Sequence, residues 1–274
     1  KFTVIGSAGR VLESIDDGLT WTENSSRVTD IPIKSIAYGN DMFIATASDP
    51  YTRGISQLWK SVDAIQWVQL PLPALDLLKS VRFVNGRFYL LCQNSVYASQ
   101  DAASWTQIIS GQNASYNDVI YANGTYVIVG GNQHIMTSTD GTTWTERWQG
   151  PSWQGFTKAI FANNRFVVVG GFGKIVTSQD GILWSDASIN ASDDFNGIAY
   201  GQGQFVVVGD NGTVYISSDG ISWTNKQYGY FNSLKDIIFT QDGFVAVGYA
   251  EDEDANDYCY LKTSKDGINW NDGI

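Results

Sequence analysis

Three features of the sequence predict an all-β chain folded as a single seven-bladed β-propeller domain over residues 1–274. The first is a Ser-x-Asp motif with a following Trp, written seven times: Ser14, Asp16, Trp21; Ser61, Asp63, Trp67; Ser99, Asp101, Trp105; Ser138, Asp140, Trp144; Ser178, Asp180, Trp184; Ser217, Asp219, Trp223; and Ser264, Asp266, Trp270. The second is the Trp-to-Trp period of about forty residues, the length of one four-stranded sheet. The third is composition: 28 Gly and 14% aromatic residues without a long helical period, as short strands joined by tight turns require.

Each unit divides into the same elements. "TKAIFANNRFVVVGGFGKIVTSQDGILW" and "NGIAYGQGQFVVVGDNGTVYISSDGISW" align without a gap. Each reads as an apolar run, a short turn, a Val-rich run ending in Gly, a second turn, an alternating run, the Ser-Asp turn and a Trp strand. These are four antiparallel strands, named a to d. The runs Phe166 to Val169 and Phe205 to Val208 are apolar on both faces, so each sheet must be covered by its neighbours, and radial stacking does this. The first unit starts at strand b, since Gly6 to Ser14 spans the same positions as Gly209 to Ser217. Its blade is therefore expected to lack the innermost strand, with three strands in total or with a native chain that begins upstream of Lys1.

The turn chemistry explains the motif. Asp and Ser oxygens accept backbone amides that have no ladder partner, and Gly permits the positive φ of a reversal. Seven Asp in one structural role are braces, not seven catalytic acids. Gly fills the turn at 18, 141, 181, 220 and 267 but Ala does so at Ala64 and Ala102, and the first copy has one extra residue, so those three turns are expected to differ in shape. Trp is expected to be a buried plate between sheets.

The seven turns resemble the Asp-box, or BNR, repeat of sialidase-like β-propellers, over essentially the whole chain. "SIDDGLTW" fits the pattern S-x-D-x-G-x-x-W, and the other copies are one residue shorter. The resemblance implies a propeller. It does not imply a sialidase, because the superfamily is similar to enzymes, assembly factors, sorting receptors and lectin-like binders alike. A sialidase would need an arginine triad, whereas Arg82 alone sits in a predicted strand a, in register with Ala37, Ile120, Ile160, Ala199 and Ile238. A two-carboxylate glycosidase needs a pair about 5 to 9.5 Å apart, for which Asp49, Asp193, Asp194 and the acids at 251–254 are candidates.

A net charge of -11 argues against nucleic acid or an anionic membrane surface as partner, and no apolar run is long enough to span a membrane. Cys92 and Cys259 fall in units three and seven and are expected to be free thiols. No cofactor or metal is expected. His134, the only histidine, reads as a surface or pore-edge residue. Asp252, Asp254 and Asn256 open like a calcium loop but lack its Gly and Glu, so a solvated acidic loop is the default. "GGFGK" at 170–174 joins strand to strand and cannot be a phosphate loop.

Two sets of binding residues stand out. The d-to-a and b-to-c loops share one face and carry Tyr51, Arg53, Trp59, Trp148, Trp153, Tyr228 and Tyr230, which suit sugar stacking or a protein partner, or cap the core. Just ahead of the strand a cores, Lys34, Lys79, Asn117, Thr157, Asn196 and Lys235 share one register. Either the lysines attract a carboxylate or acidic sugar, or each pairs with an acid such as Asp30, Asp118 or Asp236. The expected function is a non-catalytic ligand-binding or scaffolding propeller, binding a glycan or protein receptor on a bacterial or phage surface, extracellular or surface-associated, within a larger chain or assembly. The alternatives are a glycoside hydrolase and a complex-assembly factor resembling photosystem assembly factors, which should show a basic patch.

Overall fold

The computed structural model describes residues 2–5, 10–15, 20, 22–24, 28–48, 56–73, 76–111, 114–150, 154–226, 232–251 and 257–272. Among these there is no α-helix, only a 3-10 turn at Asp210–Gly212, and no helix is long and apolar enough to cross a membrane. The chain falls into two compact units, Lys1–Val119 and Ile120–Ile274.

The first unit opens with a three-stranded sheet, β1 (Phe2–Ile5), β2 (Val11–Ser14) and β3 (Thr22–Asn24), as the register of the repeat predicts. Two four-stranded sheets follow: β4 (Ile33–Gly39), β5 (Met42–Ser48), β6 (Ser56–Ser61) and β7 (Val68–Leu70); then β8 (Leu78–Val84), β9 (Arg87–Cys92), β10 (Val96–Ser99) and β11 (Thr106–Ile109). The next sheet, whose first strand crosses the unit boundary, comprises β12 (Tyr116–Ala122), β13 (Thr125–Gly130), β14 (Ile135–Ser138) and β15 (Thr145–Trp148). The second unit continues with β16 (Phe156–Ala162), β17 (Arg165–Gly170), β18 (Ile175–Ser178) and β19 (Ser185–Asp186), then β20 (Phe195–Gly201), β21 (Gln204–Gly209), β22 (Val214–Ser217) and β23 (Thr224–Asn225). It closes with β24 (Asn232–Thr240), β25 (Gly243–Glu251), β26 (Asp257–Ser264) and β27 (Asn271–Asp272). Every sheet is an antiparallel meander in chain order, so β4, β8, β12, β16, β20 and β24 are the strands a.

Packing follows from the Val-rich strands b. Phe166 to Val169 and Phe205 to Val208 are fully buried, which only cover on both faces can achieve. At two places the sheets stack with a ring over a glycine. A Cβ on Gly39 would lie 2.2 Å from the Phe83 ring of the following sheet, and one on Gly201 would lie 2.1 Å from Phe239. No other residue fits beneath those rings.

The Ser-Asp turns repeat nearly atom for atom. In the second copy Ser61 Oγ accepts the Ala64 amide at 2.8 Å, and Asp63 Oδ1 accepts the amides of Ile65 at 2.8 Å and Gln66 at 2.9 Å. Asp180, Asp219 and Asp266 brace the same two amides. Two expectations need correction. The turns at Ala64 and Ala102 do not differ in shape: φ is 64° and 59° there, against 73° at Gly141 and 67° at Gly267, because the paired oxygens hold the backbone in the left-handed region even with a Cβ present. Nor are the Trp plates fully buried, apart from Trp270. They are half-buried and close the turn, Trp67 and Trp184 each donating Nε1–H at 3.1 Å to the carbonyl of Ala64 and Gly181. The first copy, with Asp16, Gly18 and Trp21, lies outside the described residues.

Candidate functional site

The shared register of the strand a starts has a backbone cause. The pairing of strand a with strand b slips between Ile33 and Ser35, Leu78 and Ser80, Phe156 and Lys158, Phe195 and Gly197, and Leu234 and Asp236. The residue skipped each time is Lys34, Lys79, Thr157, Asn196 or Lys235. Each stands on a β-bulge, which frees a side chain from the ladder and re-aims it.

In the first unit these side chains leave cations without carboxylates. Lys34 is exposed and has no hydrogen bond or ion pair among the described residues. Lys79 is half-buried and donates at 2.9 Å to Ser115 Oγ, at 3.4 Å to the Ser115 carbonyl, and to Asn117 Oδ1. All three acceptors are neutral, and burial holds its ammonium below the ordinary lysine value. On the same strand Arg82 donates Nε–H to Asp118 at 3.0 Å, and a second nitrogen to Ser35 Oγ at 3.1 Å and the Val81 carbonyl at 3.2 Å. Strands β4 and β8 thus carry three cations and no carboxylate.

In the second unit the cations at or next to the bulges, Lys235 and Lys158, are neutralised. Lys235 donates to Asp210 Oδ1 at 2.7 Å and lies 5.0 Å from the centre of the Tyr249 ring. The same oxygen accepts Asn196 Nδ2 at 2.8 Å and the Ser233 hydroxyl. Burial raises the Asp210 carboxyl, but the donors Lys235, Ser233 and Asn196 outweigh it and hold the group below the usual carboxylate value. Lys158 reaches across β20 to Asp236 at 3.2 Å, past Gly197, where a Cβ would stand 3.0 Å from the Asp236 Cα. Thr157 donates to the carbonyls of Val169 and Phe195, tying sheet to sheet. The pairing expected with Asp30, Asp118 or Asp236 is therefore corrected: Lys235 takes Asp210, Asp118 goes to Arg82, and Asp236 goes to Lys158. The 3-10 turn holding Asp210 lies 25 residues before Lys235, and no motif marks the link.

The loop candidates fare differently. Trp59 lies within β6 rather than in a loop, half-buried, with Nε1–H on Gln57 Oε1 at 3.0 Å. Trp148 ends β15 and packs on the core, with the Lys174 ammonium 5.3 Å above its ring. Tyr51, Arg53, Trp153, Tyr228, Tyr230, Asp49, Asp252, Asp254 and Asn256 lie outside the described residues. Asp193 accepts Asn211 and Thr213, and Asp194 accepts the Phe172 amide at 3.0 Å, so both brace loops. His134 is not at the surface: it is buried, with Nδ1 3.3 Å from Glu146 Oε2, because it leads into a strand that is covered on both faces. Cys92 is a buried free thiol, pushed up to about 12 by burial. Among the described residues no group of three His, Cys, Asp or Glu is placed to hold a metal.

With this geometry in place, known proteins supply context. Residues 15–116 match the model of the DUF6242 beta propeller domain. No curated protein matches the chain. Among solved structures, YCF48 bound to D1 peptide is similar with a TM-score of 0.67 and 19% identity, covering 90% of this chain and 84% of that one. YCF48 from Cyanidioschyzon merolae gives 0.66 and 16%, covering 96% and 91%. The computationally designed Ika8 protein gives 0.60 and 12%, covering 86% and 72%. The fold is a β-propeller.

Proposed function

We propose that this chain is a non-catalytic seven-bladed propeller that holds an acidic, extended segment of a protein partner at the bulged ends of its strands a, as a step in assembling a larger complex. The observation that carries the reading is Lys79. Its ammonium is partly desolvated, faces only neutral oxygens, and shares strands β4 and β8 with Lys34 and Arg82 in a chain of net charge -11. A partner carboxylate would supply the counter-charge that Asp210 supplies to Lys235. Support also comes from a structure of similar fold, YCF48, which binds a D1 peptide, and from Asp193 and Asp194, both spent on loop amides and side chains rather than free as a hydrolytic pair.

A panel of labelled acidic peptides, neutral peptides, and acidic and neutral glycans, titrated at low and high salt, tests the assignment. Acidic peptides should bind most tightly and weaken as salt rises. Preference for a glycan would restore the lectin reading, and turnover of a chromogenic glycoside would make the chain a hydrolase.

A further inference from the structure

Lys79 and Lys235 stand at one position of the repeat, each on the bulge near the start of its strand a, and both are half-buried. Their partners differ. Lys235 donates to the Asp210 carboxylate at 2.7 Å, and a neighbouring carboxylate favours the protonated form of an amine. Lys79 meets only neutral oxygens: Ser115 Oγ at 2.9 Å, the Ser115 carbonyl at 3.4 Å and Asn117 Oδ1. The acids on either side of it in the sequence are committed elsewhere. Asp76 accepts the Asn94 amide and the Ser95 hydroxyl, and Asp118 pairs with Arg82.

The oxygens around Lys79 are placed by a departure from the repeat. Ser115 has a φ of 47°, in the left-handed region, whereas Gly155, Asp194 and Ser233 at the equivalent positions have no positive φ. The Ser115 amide donates to the Gln93 carbonyl at 2.7 Å, which fixes the residue with its carbonyl and hydroxyl toward one nitrogen. An ammonium has three N–H groups to place and a neutral amine two. Ser115 Oγ and Asn117 Oδ1 satisfy an amine in full, so loss of the proton gives up only the 3.4 Å contact. Burial acts in the same direction and holds the ammonium below the ordinary lysine value. A desolvated lysine without a counter-ion is the form in which this side chain becomes a nucleophile.

We infer that Lys79 is a modification site, whose Nζ takes an acyl group from a small acyl thioester, and that the modification switches off the hold of strands β4 and β8 on an acidic segment. The second half rests on the acidic-segment reading, and the first does not. The nitrogen lone pair attacks the thioester carbonyl carbon, and a C–N bond forms as the C–S bond breaks. The sulfur leaves with the electron pair of that bond, and the proton lost from nitrogen ends on it. The products are an acyl-lysine amide and a free thiol. The amide carries no charge, so it supplies nothing to pair with a partner carboxylate.

The probe is an acetyl thioester at trace level, with the rate at each lysine of the 274-residue chain followed by peptide mass spectrometry over a range of pH. Near neutral pH, Lys79 should be acetylated about tenfold or more faster than Lys235, the factor that one unit of pKa carries. Its rate should level off below pH 10.5, the ordinary lysine value. Asn117→Asp, which gives the amine a carboxylate, should slow Lys79 about tenfold and leave Lys34 unchanged. A bound acidic peptide should protect Lys79, and Lys79→Gln, which imitates the acylated side chain, should lose about tenfold or more in affinity for that peptide. Acetylation of Lys79 no faster than that of Lys235, or a rate indifferent to Asn117→Asp, would overturn the modification site. Fast acetylation with equal peptide affinity in the parent and Lys79→Gln would overturn the switch, and would trace the failure to the acidic-segment reading rather than to the reactivity of Lys79.

Discussion

Strands β4 and β8 share a bulged backbone with β16, β20 and β24, yet the two groups treat charge in opposite ways. In the second group Lys158 and Lys235 each have a carboxylate, Asp236 and Asp210, and the bulges knit the sheets together. In the first group Lys34 and Lys79 have none. A repeated backbone with divergent side chains separates what the fold needs from what is left available. The bulge is architectural, and the unpaired ammonium is the part that architecture does not account for.

Removing the pairing in the second unit should have the largest effect on stability. Asp210→Ala strands the donors of Asn196, Ser233 and Lys235, at a cost of about 2 kcal/mol in chemical denaturation, moderated because the site is partly open to water. Asp210→Asn, which keeps an acceptor but removes the charge, should cost less and leave Lys235 as a second cation for an acidic peptide. A somewhat smaller loss, about 1 to 2 kcal/mol, is expected for Gly197→Ala, whose methyl would press on Asp236 and part it from Lys158.

The braced turns come next. Asp219→Ala should cost about 1 kcal/mol by stranding the amides of Ile221 and Ser222, with ligand affinity unchanged. Those amides hold the Asp219 carboxyl below its ordinary value, as equivalent amides do for the other described turn acids. A depressed carboxylate stabilises the folded state fully above the ordinary value, and that stabilisation is lost as pH falls through the folded value. Denaturation midpoints measured from pH 5 downward should therefore fall less steeply in Asp219→Ala than in the parent.

Lys79 gives the smallest stability effect, with a pH slope of the same sign but in the alkaline range. Its folded value lies below the ordinary 10.5, so just under that pH the unfolded chain binds more protons and stability rises with pH. Lys79→Met should lose that rise while changing stability near neutrality by less than about 0.5 kcal/mol.

The fold was legible because its braces use side chains: Ser, Asp and Trp recur wherever an amide lacks a partner. The register of Lys34, Lys79 and Lys235 was equally visible. The fate of each lysine was not, since the Asp210 turn sits in a different hairpin from Lys235, and bulges leave no mark in composition. The left-handed backbone at Ala64 and Ala102 was hidden for a related reason. Oxygen braces impose it there, where sequence suggests that only Gly would allow it. Burial of His134 was missed because a residue just ahead of a strand looks peripheral until its neighbouring sheets are placed.

The central claim is that the unpaired cations of β4 and β8, not the paired ones of β16 and β24, hold an acidic partner segment. The most direct measurement is the affinity of one acidic peptide for two double variants, Lys34→Met with Lys79→Met, and Lys158→Met with Lys235→Met, each at two salt concentrations and at a temperature where both remain folded. The first pair should lose about tenfold or more in affinity together with most of the salt dependence, and the second should stay within about twofold of the parent. Equal losses in both pairs, or a loss confined to the second, would contradict the account.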